Sequence, residues 1–413
     1  MDPRVNVATP VATRRRPMAS RFFVWLLFPS VAAAEPLTEG RAVGLALGRP
    51  AVEASARAEV DLAESEATRE GLWPNPVVSF THEETGASKQ DGLWIEQALD
   101  LSGRRSLRSD AALRRASAVG EESRAARLDL EAAVRARFVD VLSAEGRVAA
   151  IEARLGPMER IAETVARREA AGDVSGFDRR RLDREKVAAR ARLEVEVAVR
   201  EAAWERLQAM LGGSVTRPAQ GPLVAAEALP DSPPIEALLG RVRHRPELRA
   251  LVREREAGEL EARGGGRGWI PQLVLGGGYK RADGVDGFLV VASIALPVFD
   301  RRQDESERGA ARSRRAASLE SLMRAEADGE IRALHAEATR LAAASRRFRE
   351  EAASLSVDLV RTAETAYAGG ELGILELLDA HRGALDVEIE ALAMETAARR
   401  ARIALDRAVG GAR

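Results

Sequence analysis

The side chains best suited to chemistry are sparse in this 413-residue chain: four histidines, His82, His244, His335 and His381, stand far apart, and there is no cysteine. A metal centre or a nucleophile with its base needs such groups at converging spacings, and none is present. No carboxylate falls into a recognisable catalytic or metal motif, so the sequence reads as no enzyme and calls for no cofactor. The glycine-rich "EARGGGRGW" at 261–269 follows no strand, as a phosphate-binding loop would require, and reads as the approach to a hairpin. Two short stretches stand out instead, "AGDVSGFD" at 171–178 and "GGELGILE" at 369–376. In each, a glycine that can adopt the left-handed conformation ends one helix, at Gly172 and Gly370. Asp173 and Ser175 can then cap the next helix, and Glu371 can complement the helix start in the second stretch.

The elements that must position these turns are long helices. Ala, Arg, Glu and Leu dominate a chain that is 46% apolar, 31% charged and 4% aromatic, which predicts an elongated helical molecule. Its net charge of −1 leaves no large basic field, so nucleic acid is not an expected partner. Arginines 14, 15, 16 and 21, the short apolar run "FFVWLLFPSV" and the small residues Ala32 and Ala34 form an export signal over 1–34. Cleavage after Ala34 is expected, and Met1 at the mature N-terminus would refute it. No later segment has the 18 or so apolar residues of a membrane helix, so any entry into a membrane must use strands.

The chain is written twice. Arg49-Pro50 recurs as Arg245-Pro246, "GLWP" at 71–74 as "GWIP" at 268–271, and Arg104-Arg105 as Arg301-Arg302. The turn at Gly172 recurs at Gly370, and "LGG" at 211–213 as "VGG" at 409–411. Five landmarks in one order, 196 to 198 residues apart, indicate a duplicated unit. The first repeat, 35–218, holds helices, a β-hairpin over 76–100, a long helix over 104–170, the tip 171–178 and a return helix to 213. The second, 219–413, follows a linker over 214–235 with a hairpin over 271–297, a long helix over 301–368, the tip 369–376 and a return helix to 411.

Polar connections, "TGASKQDG" and "RADGVD", separate the strands of each pair. Leu93, Ile95 and Leu99 line one face of the second strand, and Phe288, Val290, Ala292, Ile294 and Leu296 one face of the fourth. Such alternation suits a tilted membrane strand, and equally a half-buried soluble sheet. Four strands cannot enclose a lumen, whereas symmetric copies could pool theirs. The 67 residues from Arg104 to Ala170 predict a helix of about 100 Å, kinked at Gly156-Pro157. Leu334, Leu341, Phe348 and Leu355, then Leu378, Leu385 and Leu392, keep a seven-residue spacing that predicts coiled-coil packing.

With "GLWPNPVVSF" at 71–80, "EQALDLSGRR" at 96–105, "RREAAGDVSGFD" at 167–178, "RPELRA" at 245–250, "ALPVFDRRQ" at 295–303 and "AYAGGELGILELLDAHR" at 366–382, the chain resembles the TolC-like outer-membrane efflux channels, in the branch of the CzcC- and CusC-type heavy-metal exporters. The resemblance implies a mainly α fold with a β-barrel part: a homotrimer whose twelve strands form one outer-membrane barrel, with Leu93, Ile95, Leu99, Phe288, Val290, Ile294 and Leu296 facing lipid. Coiled helical hairpins would continue it as a periplasmic tunnel, with an equatorial belt near 214–235. It further implies a periplasmic adaptor and an inner-membrane RND-type pump as partners. Arg168, Ala171, Gly172, Asp173, Val174, Ser175 and Asp178 match the first tip motif, and Tyr367, Gly370, Glu371, Leu372, Leu375 and Asp379 the second; both would dock the adaptor and gate the channel. The sequence departs from the usual pattern at Gly369, commonly Ala, and at Gly373, commonly Ser. His381 beside Asp379 is a candidate pore-facing pair or an ordinary polar helix surface. A pore-less periplasmic hairpin adaptor, or the outer-membrane channel of a type I protein secretion system, are the competing readings.

Overall fold

The computed structural model describes residues 37–172, 174–213, 223 and 232–411. The expected signal segment, Asp173 and nearly all of the expected equatorial linker lie outside these. The described chain runs α1 (Glu39–Leu47), α2 (Pro50–Gly71), β1 (Val77–Thr85), β2 (Ser88–Leu99), α3 (Arg104–Ala170) and α4 (Gly176–Leu211). It continues through α5 (Ile235–Leu239), α6 (Pro246–Gly266), β3 (Gln272–Ala282), β4 (Val285–Ala295), α7 (Gln303–Phe348), α8 (Ser354–Gly369) and α9 (Ile374–Ala408). Most of the chain is helix, with one small sheet.

The repeat is visible in the backbone. Arg49 and Arg245 each precede a helix that opens on proline, where the missing N–H costs nothing. Gly86 and Gly284, Gly172 and Gly370, Gly212 and Gly410, and Gly213 and Gly411 all take positive φ. Two apolar clusters use equivalent positions: Val134, Val141, Leu207 and Leu211 in one, Ile331, Ala338, Leu405 and Val409 in the other. A third cluster, with no counterpart, joins the two helical hairpins near their tips.

The four strands form one antiparallel sheet in the order β1-β2-β3-β4. The connections are tighter than the sequence suggests. Residues of "TGASKQDG" and "RADGVD" keep pairing to Thr85↔Ser88 and Ala282↔Val285, leaving two-residue turns. Asp283 and Gly284 both have positive φ, the requirement of a type I′ turn that matches strand twist. Asp283 also accepts hydrogen bonds from the Lys89 N–H at 2.8 Å and the Ser88 hydroxyl at 3.1 Å, tying the two turns together.

Helix α3 continues through Pro157 without a break. Its equivalent is divided by a π turn, Arg349–Ala353. This corrects the strict seven-residue seam. Leu334 and Leu341 pack on the body cluster and Phe348 is half-buried, but Leu355 is 69% exposed. The wider π turn moves the buried face by one residue, so the seam resumes at half-buried Ser356 and buried Ala363. In α9 the spacing persists: Leu378 is buried, and Leu392 fills the notch left by Gly146 on α3.

Candidate functional site

Each tip is built by its helix ends. At the first, Gly172 takes φ 87° and donates its N–H to Glu169 O at 2.9 Å. Ser175 accepts from the Asp178 N–H at 3.3 Å, and its hydroxyl donates to the Asp178 carboxylate at 2.9 Å. This reciprocal arrangement caps α4. At the second tip, Glu371 N–H donates to Ala366 O at 2.9 Å and Gly370 N–H to Tyr367 O at 3.2 Å, with Gly370 at φ 78°. These are the two bonds of a Schellman motif. Helix α9 then starts at Gly373 with no side-chain cap. The expectation that Glu371 complements this start is corrected: Glu371 belongs to the Schellman turn, and Glu376 is the acidic residue of the first turn of α9.

The two tips meet. Arg168 on α3 donates to Ala368 O at 3.1 Å and Tyr367 O at 3.4 Å, and its guanidinium lies 5.2 Å from the Tyr367 ring. One cation therefore serves two carbonyls in the last turn of α8, Ala368 O and the Tyr367 O that also accepts from Gly370. Beneath it Val165, Leu182, Tyr367, Ile374 and Leu377 form a buried core drawn from four helices, with Val174 and Leu372 packed against it. Burial raises the Tyr367 phenol's pKa, Arg168 opposing and Asp178 reinforcing that shift. Ala171, Gly172, Ser175, Gly370, Glu371, Leu375 and Asp379 are exposed, while Arg168 and Asp178 are half-buried.

His381 and Asp379 do not form a pair. Asp379 is exposed, whereas His381 is 4% exposed, with Nε2 3.3 Å from Glu364 of α8. Residues two apart on a helix face different ways. Burial depresses the imidazole's pKa; Glu364 pulls it back up and Arg154 lowers it further.

The register places Leu93, Ile95, Leu99, Phe288, Val290 and Ile294 on one face of the sheet. Phe288 is 93% exposed and Leu99 is half-buried; Leu296 is exposed but lies one residue beyond the end of β4. The same face carries Val78, Phe80, Leu275 and Tyr279, exposed residues that sequence reasoning missed although "VVSF" alternates in the same way. Toward the turns this face becomes charged: His82 and Asp91 pair at 2.6 Å, with Arg281 and Asp286 alongside in register. Among the described residues no helix is long and apolar enough to cross a membrane, and no three His, Asp or Glu could hold a metal ion.

No protein-family profile matches the chain. It is 29% identical over 282 residues to the cobalt-zinc-cadmium resistance protein CzcC of Cupriavidus metallidurans, covering 67% of this chain and 66% of that protein, just under two thirds of its length. It is 26% identical over 360 residues to the outer membrane protein OprJ of Pseudomonas aeruginosa, covering 82% of this chain and 73% of OprJ. The crystal structure of CusC superposes with a TM-score of 0.74 at 18% identity, covering 91% of this chain and 92% of CusC, a likeness of fold. In sequence the chain is thus similar to CzcC and OprJ, and its four-stranded sheet and paired helical hairpins share the fold of the outer-membrane channel CusC.

Proposed function

We propose that this protein is the passive outer-membrane duct of a tripartite efflux system. The observation that supports it best is the sheet: rows of exposed apolar side chains cross all four strands, end in a charged row at the turns, and leave the outer edges of β1 and β4 unpaired. An apolar band with polar ends suits an outer-membrane strand, and an open edge invites pairing with another copy. Three copies would supply twelve strands, enough for a lumen. The tips then form the docking end for a periplasmic adaptor, through exposed Ala171, Ser175, Glu371 and Leu375, with Arg168 and Tyr367 holding the two hairpins together. Energy comes from an inner-membrane RND-type pump. The cargo is heavy-metal cations, by likeness to a protein named for cobalt, zinc and cadmium resistance, or small toxic compounds. A duct needs no tight ligands, since a solute must leave as readily as it enters.

The test is the membrane fraction and native mass of the full-length protein made in a Gram-negative host. A trimer that leaves the outer-membrane fraction only with detergent is expected. A salt-extractable monomer or dimer in the periplasm, where a control porin assembles, would overturn the proposal and favour a pore-less adaptor.

A further inference from the structure

On the sheet face opposite Leu93 and Phe288, the register aligns Ser79, Trp94, Gly278 and Leu289 in one row near mid-height. Side chains on strands ordinarily stand roughly perpendicular to the sheet. Trp94 instead lies along its own strand, with its ring over Gly92, two residues nearer the turn. A Cβ on Gly92 would stand 3.1 Å from Trp94 Cε3, closer still to Cζ3, and 3.0 Å from Thr81 Oγ1. Gly92 is accordingly the one buried residue among the described strands. Gly278, facing Trp94 on β3, leaves no more room: a Cβ there would stand 2.5 Å from the Trp94 Cβ. Gly92 does not take a positive φ, so its backbone could accept alanine and only the space under the ring calls for glycine.

An aromatic ring over a strand glycine shields backbone that glycine leaves bare, which accounts for the contact as packing. The pair also stands on the face turned away from lipid in the proposed duct, so three copies bring three indoles to one height of the lumen. We propose that Gly92 is a positioning residue that keeps Trp94 against the wall and thereby sets the free bore of the duct at that height. This role rests on the duct reading. Gly92 is held between two strands by its pairing with Thr81 and Lys280, whereas the indole is the free end of a side chain. A methyl group at 92 therefore displaces the ring and not the sheet, and turns it toward the perpendicular, into the lumen. Small hydrated ions pass a raised indole; bulky organic solutes are held back.

The chain has no cysteine, so a single introduced thiol reports alone. Ser293 lies exposed on the same face as Trp94, four residues beyond Leu289 toward α7, and Glu83 lies exposed on that face near the turns. In intact cells of a Gram-negative host lacking its own porins, fluorescein maleimide reaches Ser293→Cys only by passing the Trp94 row from the turns, and labelling is read on the full-length protein purified afterwards. Labelling of Ser293→Cys is expected with Gly92 intact, and about tenfold slower labelling with Gly92→Ala, where the methyl lifts the ring. Adding Trp94→Ala should restore the rate, and Glu83→Cys should label equally in all three backgrounds, each checked for unchanged native mass. If Gly92→Ala does not assemble, Trp94→Ala alone decides: removing an indole that already lies flat should change the labelling of Ser293→Cys less than about twofold, and a large rise would show that the ring already blocks the lumen. That rise, no labelling of Ser293→Cys with Gly92 intact, an unchanged rate in Gly92→Ala, or a slow rate that Trp94→Ala does not restore would overturn the proposal. Labelling of Val290→Cys in place of Ser293→Cys would overturn the duct reading itself, and the proposal with it.

Discussion

The two halves of the chain run through the same elements but hold their backbones together differently. In the second half α6 and α7 touch backbone to backbone: a Cβ on Gly309 would lie 2.3 Å from the Ala262 nitrogen, and one on Gly258 2.6 Å from that of Ser313. In the first half side chains separate α2 from α3, with Ala67 buried and a Cβ on Gly71 3.1 Å from the Ser109 hydroxyl. The tips differ in the opposite sense. The first has a side-chain cap at Ser175, whereas the second starts α9 without one. Four pairs of left-handed glycines fall at matching places in the two copies, while the turn at Gly103 is answered in the second copy by left-handed Arg302 and the contacts around the turns differ. The duplicated frame is thus set by where the backbone turns, and each copy closes its helices with its own chemistry.

Breaking the close helix pair has the largest expected effect. Gly309→Ala gains helix propensity of about 1 kcal/mol, yet its methyl group meets backbone that only a helix shift can relieve. Overpacking of this kind costs about 1–3 kcal/mol, so net destabilisation in a denaturant titration is expected. Gly329→Ala, in the same helix with nothing within 4 Å, is the matched control and should stabilise by about 0.5–1 kcal/mol. Equal effects from the two would erase the contrast between the halves. Next comes Arg168→Ala, which removes both carbonyl contacts between the tips. For a half-exposed cation about 1 kcal/mol is expected. Hydrogen exchange should quicken at both tips, and quickening at the first alone would show that the tips are not coupled.

A change of pH should distinguish the tips as well. The folded pKa of His381 is depressed, so its contribution is fully present above the ordinary histidine value of about 6.5 and is lost as pH falls toward the lower folded value. The groups facing it are Glu364 on α8 and Arg154 on α3, with Glu185 and Arg192 on α4 and Arg382 and Asp386 on its own helix around the cavity it lines. The equivalent position in the first half is exposed Asp183. After allowance for the intrinsic slowing of amide exchange in acid, protection near 374–384 should therefore fall as pH drops below about 6.5, and His381→Gln should flatten that response. An unchanged slope in the variant would assign it to other groups.

Much of this contrast could not be read from the sequence. The long helices and four strands were legible because alanine-rich runs without breakers and alternating strands are local signals. The π turn was not: Leu355 keeps the seven-residue spacing in sequence, and only the packed helix shows that the seam has moved to Ser356. The tips were legible as turns through their glycines. The Arg168 bridge, by contrast, joins residues about 200 apart, and no local pattern announces it. His381 was misread beside Asp379 because sequence neighbours on a helix are not spatial partners.

The smallest effects expected concern the caps. Ser175→Ala removes the hydroxyl that accepts from the Asp178 N–H and should cost about 1 kcal/mol of local stability. Gly373→Ser would write the same cap into the second tip, four residues before Leu377 donates to Gly373 O at 3.4 Å. Its Cβ would meet the Glu376 carboxylate at 2.8 Å, the mobile end of a side chain that can swing aside. Glycine is already a tolerable residue at that position, so the gain is a few tenths of a kcal/mol. Paired exchange measurements at 176–180 and 374–378 would resolve it: the two variants should bring the tips closer in stability from opposite directions. If Gly373→Ser instead loosens the second tip, the glycine serves the Schellman turn's close approach to α9, and the tips differ by design of the backbone and not by a missing cap.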